Sequence, residues 1–107
     1  MPKYLIERHM SGAGALSESE LAVLSESSLR ALEELGPQIQ WLESFITSDR
    51  IYSVYIAQNE RLIRDHAFLS GLPADSIREV KAIIDPSTSL RAHWEEEHDV
   101  SKESGLY

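Results

Sequence analysis

Apolar and polar positions follow two different periods along this chain, and the changes of period mark its elements. Lys3 to His9 reads as a first strand, ended by the flexible stretch Ser11-Gly12-Ala13-Gly14. Leu21, Leu24, Ser28, Leu32 and Leu35 then recur at steps of three and four, which draws one stripe along a helix. Ser17 followed by Glu20 has the capping-box spacing at its start, and Gly36-Pro37 ends it. Ile39 to Thr47 and Ile51 to Ala57 are rich in branched and aromatic residues and flank the tight turn Ser48-Asp49-Arg50, the pattern of a hairpin. A second helix begins at Asn59, carries Leu62, Ile63, His66, Ala67 and Leu69 on one face, and stops at Gly71 and Pro73. A last strand is expected over Arg78 to Ile84, before Asp85-Pro86.

The order βαββαβ predicts an α+β, ferredoxin-like fold: a four-stranded antiparallel sheet with both helices on one face. A sheet wet on its other face would alternate apolar and polar residues. Here the third strand has Tyr52, Val54 and Ile56 on one side and Ile51, Tyr55 and Ala57 on the other, while Tyr4 and Ile6 oppose Leu5 in the first. Two helices cover only one face. The economical cover for the second is another copy of the sheet, which predicts a homodimer of the dimeric α/β-barrel type.

The periodic pattern ends at Pro86. Residues 1–86 are therefore read as one domain and 87–107 as a polar tail, with a short helical candidate around Leu90 to His98. Composition narrows the function classes. With 18 acidic against 10 basic residues the net charge is −8, which disfavours nucleic acid as a partner. There is no cysteine, hence no disulfide, thiolate nucleophile or cysteine-based zinc site. No apolar run approaches the ~18 residues of a membrane span, and the start lacks the apolar core of a signal peptide, so a cytoplasmic location is expected. No phosphate-binding loop, dinucleotide glycine pattern or nucleophile elbow occurs.

The residues left to carry chemistry are few. His66, on the apolar face of the second helix, is either a core histidine with one hydrogen bond or a ligand or general base. Glu7 is a carboxylate within a two-sided sheet, where it needs a partner or a proton. Trp41, Tyr52 and Tyr55 are plain core or the aromatic walls of a small-molecule pocket. His93-Trp94-Glu95-Glu96-Glu97-His98 superficially resembles H-E-x-x-H, but a spacing of five puts its two imidazoles on different faces of a helix.

Five segments resemble one known family: KYLIER at Lys3–Arg8, LGPQIQW at Leu35–Trp41, IYSVYIA at Ile51–Ala57, IRDHA at Ile63–Ala67, and IIDP at Ile83–Pro86. It is a family of small bacterial ferredoxin-like proteins long labelled a domain of unknown function, known from a nickel-binding, nickel-responsive member. The resemblance runs from about Lys3 to Pro86 and implies pairing through the sheets and binding of nickel or another divalent metal. Family members often carry Cys where this chain has Ser53, and many carry Asp in place of His9, so the ligand inventory here differs. On this reading His66, Glu7 and His9 are the metal-ligand candidates. Glu7, Trp41, Tyr52, Tyr55 and His66 are the ligand-binding candidates, and no catalytic residue is assigned.

Two functions follow. The first is a dimeric divalent-metal binder, nickel by resemblance. The alternative is a small-molecule binding protein or enzyme using a pocket between the sheets, with His66 and Glu7 as acid-base groups. A purely structural or partner-binding domain is a third reading.

Overall fold

The computed structural model describes residues 1–91. Its elements are β1 (Lys3–His9), a single turn of 3₁₀ helix (Ala13–Ala15), α1 (Glu18–Leu35), β2 (Ile39–Ile46), β3 (Arg50–Ala57), α2 (Glu60–Ser70) and β4 (Ser76–Glu79). The sheet is antiparallel throughout, in the order β2-β3-β1-β4. This is the expected α+β arrangement, with the first and third strands in the centre.

Local chemistry sets the boundaries. The Ser17 hydroxyl accepts from the Glu20 N–H at 3.1 Å, and the Glu20 carboxylate accepts from the Ser17 N–H at 2.9 Å, closing the capping box of α1. The Asn59 side chain accepts from the Leu62 N–H at 3.1 Å to start α2, and Gly71 ends it in the left-handed conformation that glycine adopts freely. At Gly14 the backbone passes so close to the β2–β3 turn that an added Cβ would lie 2.8 Å from the Ser48 Cα. The Gly14 N–H donates to the Ser48 carbonyl there.

Strand alternation decides which side chains reach the helices. Tyr4, Ile6, Ile39, Tyr55 and Ala57 point to the helix-covered face and form the core with Ile63 of α2. Leu32, Leu35 and Leu62 pack against it from the helices. The helix face expected for α2 is right at Ile63 and His66, whereas Leu69 lies at the exposed margin.

β4 differs from the expectation over Arg78 to Ile84. It spans Ser76–Glu79 because it pairs only with Tyr4 to Glu7 of β1. Past Val80, whose N–H donates to the Lys3 carbonyl, β1 offers nothing to pair with. The apolar pair Ile83 and Ile84 consequently lies in the open, Ile84 at 79% exposure. Residues 86–91 are helical, earlier than the expected Leu90 start. His93 to His98 lie outside the described residues.

β2 carries one irregularity that matters for the site. Trp41 faces Tyr55 and Glu43 faces Val54, so Leu42 is an extra residue, a β-bulge. Without it Trp41 and Ser44, three apart, would point to opposite faces. With it both point toward the helices.

Candidate functional site

The sheet divides the candidate residues into two sets. Glu7, His9 and Tyr52 lie on the face away from α1 and α2. Trp41, Tyr55 and His66 lie on the helix-covered side. Glu7 and His66 therefore do not meet, and the expectation that they act together on one ligand is overturned. The reason is the period of two in β1: Tyr4, Ile6 and Arg8 turn to the helices, so Leu5, Glu7 and His9 turn away.

On the open face the Glu7 carboxylate accepts from the Arg50 guanidinium at 3.0 Å and lies 3.3 Å from the His9 Nε2. Arg50 also pairs with Asp49 at 2.8 Å. Glu7 is opposite Tyr52 in the register, and Tyr52 is opposite Phe45. The polar cluster borders an apolar surface formed by Leu5, Phe45, Val54 and Ile56, with Leu5 at 40% and Phe45 at 54% exposure. Neither α1 nor α2 covers it.

On the other side, between α1 and the β2–β3 hairpin, lies a cavity of about 150 Å³. Leu21, Leu24, Ile51, Leu72 and the indole of Trp41 supply apolar wall, and Arg8, Ser25, Ser28, Ser44 and Ser53 the polar part. Arg8 is 2% exposed. Its Nη1 donates to the Ser53 hydroxyl at 2.8 Å and its Nε to the Leu72 carbonyl at 3.3 Å, while Nη2 is buried with no partner. No carboxylate among the described residues pairs with this guanidinium. The Trp41 indole N–H donates to the Ser44 hydroxyl at 3.0 Å, and Ser44 and Ser53 share a hydrogen bond of 2.7 Å. The bulge at Leu42 makes this chain of contacts attainable by aiming Trp41 and Ser44 the same way.

His66 sits behind the cavity rather than in its wall. Its ring is 4.9 Å from that of Tyr55, and its Nε2 donates to the Ser28 carbonyl at 3.2 Å. A carbonyl only accepts, so Nε2 carries the hydrogen and the buried Nδ1 presents a lone pair without a partner. Burial pushes the His66 imidazole below its ordinary range, the Ser28 hydrogen bond opposes this, and the Arg8 charge adds to the depression. The ring is neutral near pH 7. Burial likewise pushes the Tyr55 phenol up, against the field of Arg8.

Arg8 is the residue that the sequence reading missed. The signal was present: Arg8 continues the inward positions Tyr4 and Ile6, Ser28 stands in the apolar stripe of α1, and Ser53 lies between the inward Ile51 and Tyr55. Polar residues at three inward positions mark a polar pocket.

The family model described as "Nickel responsive protein SCO4226-like" matches residues 4–80. No curated protein sequence matches the chain. Among solved structures, the crystal structure of SCO4226 from Streptomyces coelicolor A3(2) is similar with a TM-score of 0.66 at 15% identity, covering 77% of this chain and 99% of that one. At that identity the likeness speaks for the fold alone.

Proposed function

The chain belongs to the SCO4226-like family of nickel responsive proteins, and on that premise we propose that it binds a divalent metal as a dimer whose sheets face one another. The observation that carries this reading is the Glu7 carboxylate beside the His9 imidazole, 3.3 Å apart on an apolar sheet face that neither α1 nor α2 covers.

The donor types fit the metal. Imidazole suits nickel and zinc, and a carboxylate completes a mixed nitrogen and oxygen set. One chain is not enough, since no group of three or more His, Cys, Asp or Glu able to hold a metal occurs among the described residues. Two chains paired through this face double the donors, so the dimer and the metal are parts of one proposal. Arg50 has to release Glu7 for this. Solvent reaches and screens this ion pair, so the exchange costs little. His66 does not join this set, because the sheet stands between it and Glu7.

Dimer formation has its own support in Leu5, Phe45, Val54 and Ile56, whose burial in a second sheet removes apolar surface from water.

Calorimetric titration of chelator-treated, tag-free protein with nickel chloride tests the reading. It should show saturable uptake of fewer ions than chains. His9→Ala should abolish uptake without changing thermal stability, since the His9 side chain is 55% exposed. A parent protein that takes up no nickel, or a His9→Ala variant that takes it up like the parent, would overturn the proposal.

A further inference from the structure

The cavity beside α1 holds an excess of hydrogen-bond donors around a buried positive charge. Arg8 offers its free Nη2, which among the described residues has neither a hydrogen-bond partner nor a carboxylate. An arginine does not shed its charge on burial as a lysine can. The hydroxyls extend the imbalance. Ser44 accepts from Trp41, Ser53 accepts from Arg8, and the bond between the two serines uses one of their two hydrogens. Whichever serine donates to the other, those contacts leave one hydroxyl hydrogen uncommitted. Nothing in the cluster supplies negative charge, and leaving a buried cation uncompensated is costly.

We propose that this cavity is a binding site for a small organic monocarboxylate, with Arg8 as its counter-ion. The carboxylate would accept from Arg8 Nη2 and from the spare serine hydroxyl. The apolar body would lie against Leu21, Leu24 and Trp41. A cavity of about 150 Å³ suits a body the size of a benzene ring. The surrounding hydrocarbon disfavours a fully hydrated inorganic ion. A divalent metal is excluded from this side by the guanidinium itself, so the site is independent of the metal proposal on the opposite face.

Benzoate is a suitable probe, with neutral benzamide as its shape control and sulfate as an anion without an apolar body. Titrated into the full chain and followed by the Trp41 indole N–H resonance, benzoate should give a saturable shift and raise the melting temperature. Benzamide and sulfate should do neither. Arg8→Met should weaken benzoate binding by roughly 10- to 100-fold, the range for a charge-assisted hydrogen bond. Arg8→Met removes a buried unpaired charge but also the hydrogen bonds to Ser53 and the Leu72 carbonyl, so circular dichroism with a melting curve verifies that the variant is folded. Ser53→Ala should weaken binding less. The proposal is overturned if benzoate produces no saturable shift, if benzamide or sulfate binds as well, or if folded Arg8→Met binds benzoate like the parent.

Discussion

Acidification below about pH 6.5 should destabilise this fold through His66, and the size of the effect follows from its surroundings. The ring is 1% exposed, is held neutral by burial and faces the Arg8 charge. Its folded pKa therefore lies below the unfolded value of 6.5. Above pH 6.5 neither state is protonated and the contribution to stability is complete. As pH falls between the two values the unfolded chain binds a proton that the folded one refuses, and stability drops by about 1.4 kcal/mol per pH unit. For a domain of this size that is roughly 5–10 °C in melting temperature per unit. The loss levels off once the folded ring also protonates. His66→Gln keeps an N–H donor for the Ser28 carbonyl but cannot titrate. Melting curves from pH 8 to 5, run on parent and His66→Gln, both carrying His9→Gln to remove the exposed imidazole, isolate the difference. The variant should start less stable by about 1–3 kcal/mol, the cost of disturbing a buried hydrogen bond, and converge on the parent as the pH falls. Parallel curves over the whole range would refute the reasoning.

Three further outcomes are expected. Val54→Lys, in the centre of the open sheet face, should leave the circular dichroism spectrum unchanged and shift the protein from dimer to monomer in sedimentation velocity. Gly14→Ala should cost about 1–3 kcal/mol in urea unfolding, because its Cβ would press on backbone atoms of Thr47 and Ser48 that have no flexible end to yield. A chain ending at Pro86 should still unfold cooperatively by calorimetry, since the described core lies entirely before that residue.

Much of the fold is legible in the sequence because its boundaries are written in local chemistry. Ser17 with Glu20, Asn59 and Gly71 act within a few residues of themselves, the first two starting their helices and Gly71 ending α2 where expected. β4 was misjudged because strand length is set by the partner. The apolar Ile83 and Ile84 invite an extension that β1, beginning at Lys3, has no residues to pair with. The site was half legible for a related reason. Alternation assigns Tyr52, Val54 and Ile56 to one face, but both faces are apolar, and nothing local states which one the helices cover. Glu7 and His66 were placed together for want of that information. Arg8 was readable from its step of two beyond Tyr4 and Ile6. The bulge at Leu42 was not, since it exists only in the register between two strands.

Because successive residues of a strand look in opposite directions, each residue inserted or deleted exchanges what the remainder shows to either side. Leu42 performs one such exchange, and everything from Glu43 to Ile46 depends on it. Pairing Leu42 directly with Val54, with no bulge, would turn the Phe45 ring toward the helices and the Ser44 hydroxyl outward, so the apolar outer surface and the hydroxyl chain around Arg8 would fail together. A slip of register in this strand thus acts on both sides of the molecule at once, whereas substitution can adjust one while sparing the other. Deleting Leu42 outright, by contrast, keeps both, since Trp41 and Ser44 are then two apart and share a face.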